Sequence, residues 1–547
     1  MMQNFNKKLA MTALASTVAF SGFTFLGADK ADAARKGFDP KKVGGKLVMT
    51  SFSDAVRLIP YTTSDSASGR IQAMVFDALL NLDQQGNPVP SLATKWSFNK
   101  ATQTYTFELR KGVKWHDGKP FTADDVVFSY NTFMNPKSIN SYISNFKAIG
   151  EVKKVDPYKV TIKLKEPNAL IVSRIFAASP IIAKHQFPKG VEDFNNNTKV
   201  HRNPIGTGAF KFKEWKTDER IVVVANKDYW DGRPYMDEVV TRILPDANVE
   251  AINLIKGDVD WVEALTASTV AQVAKDKDLK ITKWDYGQFD FVGFNAEKAP
   301  FNDKDVRLAL TYGLDRQSIV SKLMLGKAYV ASGPFHPKIP QYNKAVKPLP
   351  FDQKKAAELL DKAGWKMEGG VRQKGGKKME FDFYFNNGNK VREKIGLLAQ
   401  QNWGKLGVKV NVRGLEWSIF LDRYAAGELD TFALGWGGYD GNVEHRGFFH
   451  SDGIPKSGGV GNNRNRINDP KINKWLDDYL KEEDRNKRIK MYQDMHKYMA
   501  DNATLIWTVH PMKNMGHDKD LKGIKTTLNS ALFNLSDWYW GDPKKRK

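Results

Sequence analysis

The sequence of 547 residues contains no cysteine. Disulfide bonds, thiolate catalysis and thiolate-bound metals are therefore excluded. The lipid anchor of a bacterial lipoprotein is excluded as well, because that anchor is attached to a cysteine at the cleavage point. The fold must be stabilised by its own core.

Long apolar runs are also absent, apart from one near the N-terminus. Lys7 and Lys8 precede an apolar stretch from Leu9 to Leu26, and Ala31-Asp32-Ala33 then supplies small residues at the two positions that signal peptidase reads. This pattern predicts a secretory signal peptide over residues 1–33. A retained membrane anchor is the alternative, although the run is rich in Ala, Ser and Thr. Because a secreted chain of this size without disulfides is typical of bacteria, we expect a periplasmic protein.

Catalytic and cofactor motifs are scarce. The sequence has no Gly-x-Ser-x-Gly, no His-Glu-x-x-His and no dinucleotide fingerprint, and Gly370–Lys378 departs from a phosphate-binding loop at its Lys and Ser/Thr positions. We therefore predict no enzyme activity and no cofactor. A secreted hydrolase stays open as an alternative, because a catalytic triad is defined in space and not in sequence.

Possible metal ligands cluster in one loop, at Asp440, Glu444, His445 and His450. The spacing of the two histidines fits no standard helical pair, and nothing in the pattern defines a coordination geometry. We predict no metal site, with recognition of a metal chelate as the alternative.

Positive charge is in large excess. The 84 lysines and arginines oppose 62 aspartates and glutamates, which gives a formal net charge of +22 at pH 7. Such an excess attracts anions and anionic surfaces. The basic residues are dispersed along the chain, however. The one dense run, Pro543–Lys547, is predicted to be a solvent-exposed end of the chain. We expect no nucleic-acid partner; a nucleic-acid- or envelope-binding protein is an alternative that the charge alone suggests.

The length is too great for one compact core and indicates about three structural units or two large lobes. Strand-like and helix-like patterns alternate throughout, which indicates an α/β architecture. Thr122 and Asp125 form a capping box that starts a helix. Asn302 is placed to cap another helix, and Gly326 to end it.

Six segments occur in order along the chain after residue 33 and carry a resemblance that extends over nearly its whole length. They are LRKGVKWHDGKPFTADDVVFSY, NPIGTGAFKFKEW, INLIKGDVDWV, FVGFNAEKAPFNDKDVRLALTYGLDRQSIV, AAELLDKAGW and LDTFALGWGGYD. Together they resemble the family 5 solute-binding proteins, the peptide- and nickel-binding receptors of bacterial ABC importers. The resemblance implies a two-lobed periplasmic-binding-protein fold of the α/β class, with a ligand cleft between lobes that are joined by a two-segment hinge.

The resemblance also implies domain boundaries. Lobe 1 would comprise residues 45–82, 201–289 and 512–547, with an additional subdomain at 83–200, and lobe 2 would comprise residues 290–511. The two crossings of the hinge are expected near Gln288–Phe294 and Ile506–Met512.

In the family, the segment that matches Leu434–Asp440 lies at the cleft and helps to hold peptides. Three glycines here, Gly435, Gly437 and Gly438, would leave main-chain groups accessible to an extended peptide, since no Cβ blocks its approach. Trp436 and Tyr439 would supply flat apolar walls.

A carboxylate in this segment, Asp440, is expected to pair with the ammonium of a peptide. Family members commonly have an Asp-Tyr or Asp-Pro step in this turn, whereas this chain reads Tyr-Asp-Gly. The acid is thus shifted by one position or serves a different ligand, and a tight turn with a solvated Asp440 is the alternative. The substitution Asp440→Ala is expected to weaken peptide binding about tenfold to a thousandfold.

Two further residues complete the candidate site. Arg446 could bind a ligand carboxylate through two parallel N–H bonds, or could instead pair with Glu444 or Asp452. Trp417 could face the cleft or pack in the core.

The function implied is that of a monomeric receptor that captures oligopeptides in the periplasm by lobe closure. It would deliver them to an inner-membrane ABC permease and its ATPase, and would meet the membrane only through that permease. The same fold binding an oligosaccharide, an opine or a metal chelate is the alternative.

Overall fold

The computed structural model describes residues 37–84, 86–285, 287–437, 445–455, 461–528 and 530–543. Helices and strands are mixed along the chain and form two large sheets in two lobes. The predicted α/β, two-lobed architecture is confirmed.

Lobe 1 is built on an eight-stranded sheet. Seven of its strands lie in the spatial order Leu279–Asp285, Val509–Asp518, Trp261–Val262, Lys46–Ser51, Glu238–Ile243, Arg220–Ala225 and Phe210–Lys216. The eighth, Ala328–Val330, comes from the lobe 2 part of the chain: Ala328 packs in the lobe 2 core, and the strand pairs with residues 509–511, where the chain returns to lobe 1. The strand Lys46–Ser51 runs parallel to both of its neighbours, and the other pairs are antiparallel. Leu47 and Met49 point into the core, while Lys46 is exposed, as alternation along a half-buried strand requires.

The additional subdomain is a four-stranded antiparallel sheet attached to lobe 1. Its strands lie in the order Ala93–Asn99, Thr104–Leu109, Lys159–Leu164 and Ile149–Asp156. The helix Ala123–Met134 packs against it and begins with the predicted capping box, because Thr122 and Asp125 each accept a backbone N–H of the other. One continuous cluster of buried apolar side chains joins the subdomain to lobe 1, from Leu47 to Phe107, so the two move as one unit.

Lobe 2 is built on a five-stranded sheet. Its strands lie in the order Lys409–Leu415, Glu380–Asn386, Thr431–Trp436, Phe289–Phe294 and Ile506–Trp507. One apolar cluster includes Val292 and Trp403, and a second, rich in aromatic rings, includes Phe291 and Phe448. The sheet is therefore covered on both faces.

The remaining elements cover or connect these sheets. The other α-helices are Ser66–Val75, Val191–Asn196, Thr198–Arg202, Ala247–Lys256, Ala267–Val273, Lys304–Tyr312, Arg316–Ser318, Gln353–Lys362, Lys390–Gly404, Trp417–Ala426, Arg446–Phe449, Pro470–Lys481 and Arg485–Asp501. Short π-helical and 3₁₀ turns are Val172–Phe176, Ile319–Leu323, Pro40–Lys42, Ile143–Phe146, Lys184–Gln186, Ser451–Gly453 and Leu535–Asp537. Small sheets are formed by Leu80–Leu82 with Pro88–Pro90, by Leu521–Lys522 with Tyr539–Trp540, and by Lys366–Glu368, Val371–Lys374 and Lys377–Lys378.

The helix predicted from Asn302 to Gly326 is in part wrong. Its cap is Asp303, whose carboxylate accepts the N–H of Asp305, and the first helix ends at Tyr312. Leu406 and Trp403 crowd Gly313 so closely that a side chain there would clash. Only glycine fits at this position, and the chain continues beyond it as the short turns Arg316–Ser318 and Ile319–Leu323.

The chain crosses between the lobes at two places. The first crossing lies between the lobe 1 strand Leu279–Asp285 and the lobe 2 strand Phe289–Phe294. The second passes through Thr508, whose N–H donates to Asp290 O (2.9 Å). His510 Nδ1 donates to Gln288 O (2.9 Å), so the two crossings are bonded to each other. Within the described part of the chain, no helix combines the length and apolar character that a bilayer span requires.

Candidate functional site

The glycine-containing segment begins as a strand of the lobe 2 sheet. Thr431–Trp436 pairs antiparallel with Phe289–Phe294, which places Gly435 opposite Asp290. A Cβ on Gly435 would lie 2.6 Å from Gln288 Nε2 and closer still to the carboxylate of Asp290. The missing Cβ of Gly435 therefore makes room for the side chains of Asp290 and Gln288 at the first crossing. The sequence alone had suggested that this space was left for a ligand.

Only part of the predicted segment can be placed. Gly437 is partly exposed directly after the strand. Gly438, Tyr439 and Asp440 lie outside the described residues, and the role expected for Asp440 stays a prediction.

Two tryptophans of the prediction occupy different settings. Trp436 packs on Phe448 (4.6 Å between ring centroids), within the aromatic cluster of lobe 2. Trp417 stacks on Phe420 and meets Phe52 of lobe 1 edge to face (5.6 Å, 78°). Its buried Nε1 has no hydrogen-bond partner among the described residues. Trp417 thus spans the gap between the lobes and holds a donor that a ligand could use.

Sequence reasoning missed a row of charged side chains that runs from lobe 1 to lobe 2. This charged row consists of Arg70, Glu263, Lys513, Asp290 and Arg392. Glu263 forms ion pairs with Arg70 and with Lys513 (2.7 Å), and its side chain is only 12% exposed. Burial alone would raise the pKa of Glu263, but the charges of Arg70 and Lys513 outweigh it and lower that pKa to about 2.

The lobe 2 end of the row is less completely paired. Arg392 donates to Asn386 Oδ1 (2.6 Å) but makes no ion pair among the described residues. Burial lowers the pKa of Arg392 and raises the pKa of Asp290, while the attraction between their charges opposes both shifts. The row therefore contains three cations and two carboxylates, and Arg392 retains donors for an anionic group.

A third carboxylate, Glu250, lies close enough to Arg70 and Glu263 for their charges to affect it. Burial raises its pKa to about 7, against a hydrogen bond with Thr50 and the charge of Arg70. Glu250 consequently has only a partial charge near neutral pH, so the excess of positive charge in the row persists.

A third contact region comes from residues 461–466 of lobe 2. Arg464 is 8% exposed, lies over the ring of Tyr424 (5.6 Å) and approaches Ser64 Oγ of lobe 1 (3.5 Å). Neighbouring Asn462 is 2% exposed, and in the described structure neither its Oδ1 nor its Nδ2 has a partner. A buried amide with four unused hydrogen-bonding positions is a candidate ligand contact.

Arg446 has protein partners at both ends of its guanidinium. It pairs with Asp452 (2.7 Å) and Asp477 and is 4% exposed. The pairing with Asp452 is the alternative that the sequence left open, and it leaves few donors for a ligand. Its role in ligand binding remains a prediction.

The two histidines considered as metal ligands, His445 and His450, contact different sets of residues. His445 packs among Phe335, Phe289 and Phe449, whereas His450 lies 3.5 Å from carboxylate oxygens of Asp452 and of Asp477. Among the described residues, no three histidines or carboxylates are grouped to hold a metal ion.

Signals for the missed residues exist but are faint. Arg392 lies three, four and seven positions before Ile395, Gly396 and Ala399, which are buried on one face of its helix. A charged residue on this face departs from the apolar pattern, and that departure is the signal. Its partners come from distant parts of the chain, which no local pattern can supply.

Histidines that burial keeps neutral make stability depend on pH. Burial lowers the pKa of His116 to about 4, of His496 to about 4 and of His510 to about 3. Their stabilisation is therefore present above the unfolded pKa of about 6.5 and is lost as pH falls toward the folded values. We expect acidification from pH 7 to pH 5 to lower the unfolding free energy by about 2 kcal/mol per histidine. Thermal unfolding at both values, with proton uptake from calorimetry in two buffers, checks this; a higher melting temperature at pH 5 would contradict it.

An α/β chain with two lobes, two crossings and charged and aromatic side chains between the lobes has the architecture of a solute-binding protein. The model of the family described as bacterial extracellular solute-binding proteins, family 5, matches residues 87–451. The chain belongs to this family, whose members are substrate-binding receptors outside the cytoplasm that serve ABC importers.

Similar proteins support the assignment over nearly the full length. The oligopeptide-binding protein AppA of Bacillus subtilis is 31% identical over 513 residues, 92% of this chain and 93% of the relative. The structure of that AppA with a nonapeptide has a TM-score of 0.87 and covers 91% of this chain and 99% of its own. NikZ from Campylobacter jejuni, in complex with Ni(L-His), is 28% identical with a TM-score of 0.79, covering 92% of this chain and 100% of its own.

Proposed function

We propose that the protein captures oligopeptides between its lobes in the periplasm and passes them to an ABC permease and its ATPase. It would act as a monomer after removal of residues 1–33, without catalysing a reaction and without a cofactor. Its relative AppA, solved with a nonapeptide, supports a peptide as the ligand.

The observation that carries the proposal is the charged row between the lobes. Arg392 and Lys513 supply positive charge beside Asp290, and Lys513 lies on the strand that crosses between the lobes. A peptide carboxylate placed against Arg392 would complete the pairing that the protein leaves open. Trp417 and Asn462 offer polar atoms for main-chain amides, which suits a ligand of variable side chains.

The remaining predicted residues fit this picture as proposals. Asp440 would hold the ligand ammonium, with Gly437 and Gly438 allowing close approach and Trp436 and Tyr439 forming walls. Gly435 would contribute main-chain groups only, since Asp290 and Gln288 take the space on its Cβ side. Arg446 would act indirectly, by holding Asp452 and Asp477 in place.

The test is calorimetry with peptides of two to nine residues on protein stripped of bound ligand, together with native mass spectrometry of the protein as purified. We expect binding, and we expect amidation of the peptide C-terminus to weaken it at least tenfold, because the carboxylate would lose its charged partner. If an oligosaccharide, an opine or a nickel chelate binds and no peptide does, the proposal that the ligand is a peptide would be overturned. Hydrolysis of the added peptide would indicate a hydrolase.

A further inference from the structure

A short segment of the subdomain is anchored in both lobes. This bridging segment, residues 166–171, follows the strand Lys159–Leu164. Leu170 is 4% exposed and belongs to the aromatic cluster of lobe 2, whereas the next residue, Ile171, is 1% exposed and belongs to the core of lobe 1. Neighbouring side chains therefore enter the cores of different lobes.

Backbone contact reinforces the anchorage. Ala169 N donates to Leu480 O of lobe 2 (2.7 Å), at the end of the helix Pro470–Lys481. On the same side, Asn145 of the subdomain comes so close to Gly447 that a Cβ there would lie 3.1 Å from its Oδ1. The crevice that remains between the two sides measures about 10 Å³, room for one water at most. The two surfaces are closely packed.

Ion pairs surround this contact but contribute little. Lys147 pairs with Asp452 (2.8 Å), Lys100 with Glu483 (3.0 Å) and Lys481 with Glu166 (3.9 Å). Their side chains are between one third and three quarters exposed, and exposed pairs of this kind are weak. A buried leucine side chain stabilises a contact more than an exposed ion pair does, so Leu170 is expected to contribute more than any one of these pairs.

We propose that Leu170 is a positioning residue for ligand capture: it stabilises the closed arrangement of the lobes from outside the ligand cleft. The inference rests on the proposed function, since it concerns closure around a ligand. Because lobe 1 and its subdomain share one core, opening of the cleft withdraws Leu170 from lobe 2. Ligand affinity then includes the free energy of burying Leu170, although Leu170 touches no ligand.

The experiment compares Leu170→Ala with Ile171→Ala in calorimetric titrations with the tightest-binding peptide. We expect Leu170→Ala to weaken affinity about tenfold or more, since a buried leucine loses most of its apolar surface. Ile171→Ala is the matched control: it should lower the melting temperature of lobe 1 and leave affinity within about threefold. Leu170→Met, which conserves volume, should restore wild-type affinity.

A second readout separates closure from general damage. Small-angle scattering at subsaturating peptide should show a larger open fraction for Leu170→Ala than for wild type, and the same closed dimensions at saturation. If the alanine variant does not fold, Leu170→Val should also weaken peptide affinity and raise the open fraction, by a smaller factor. Wild-type affinity in a folded Leu170→Ala or Leu170→Val would overturn the inference, as would equal losses in Ile171→Ala. Failure of the wild-type protein to bind any peptide would instead overturn the proposed function.

Discussion

The substitution Glu263→Gln is expected to lower the free energy of unfolding by about 3–5 kcal/mol at pH 7, the cost of leaving buried charges without their counter-charge. Arg70 and Lys513 converge on this carboxylate, and burial already lowers the pKa of Lys513. Glutamine keeps the size and part of the hydrogen bonding but removes the charge. Urea unfolding followed by tryptophan fluorescence measures the difference.

The pH dependence of this difference provides a second check. The pKa of Glu263, about 2 in the folded protein, lies below its unfolded value of about 4.5. Its charge therefore stabilises the fold above pH 4.5, and that contribution disappears as pH falls toward 2. The difference in unfolding free energy between wild type and Glu263→Gln should therefore decrease as pH falls from about 4.5 towards 2. Glu428→Gln, at an exposed pair with Arg423, is the control and should change stability by less than about 0.5 kcal/mol; a similar loss there would contradict the explanation.

The substitution Arg392→Gln is expected to weaken peptide binding about a hundredfold, because a ligand carboxylate would lose a charged partner in a closed site. The same change should lower the melting temperature less than Glu263→Gln does, since Arg392 gives up a hydrogen bond to Asn386 and the attraction of Asp290 but no ion pair among the described residues. Titration calorimetry with one peptide and its amidated form measures both affinities. For the variant, amidation should make little further difference, as expected when the two changes remove the same interaction.

Arg413→Gln serves as the control for Arg392→Gln. Arg413 lies on the same lobe and pairs with Asp382, but its side chain is 58% exposed. Its loss should leave affinity unchanged. If Arg392→Gln binds the free-acid peptide as tightly as wild type does, the charged row does not hold the ligand carboxylate.

Local features of the fold were predictable from sequence, since they depend on residues within a few positions of each other. The capping box at Thr122 is an example. The need for a glycine at position 313 was not, because the side chains that exclude a Cβ there, Leu406 and Trp403, lie about ninety positions away.

In the candidate site, too, features set by neighbouring residues were predictable and features set by distant residues were not. A glycine pattern drew attention to Gly435, but it cannot distinguish backbone left open for a ligand from backbone covered by a neighbouring side chain. Both need a missing Cβ, and here Asp290 and Gln288 occupy the space. The ion pairs of Glu263 join residues that are far apart in sequence, so only the folded chain brings them together.

The position of one strand has a consequence for how the molecule assembles. Val509–Asp518 lies between Leu279–Asp285 and Trp261–Val262 inside the lobe 1 sheet, yet in chain order it follows every strand of lobe 2. A chain that emerges from its N-terminus can complete lobe 2 first, whereas lobe 1 must keep a gap in its sheet until residue 518 arrives. Lobe 1 is thus the last part of the chain whose sheet can close, and until then the edges of Leu279–Asp285 and Trp261–Val262 that face the gap have no strand between them.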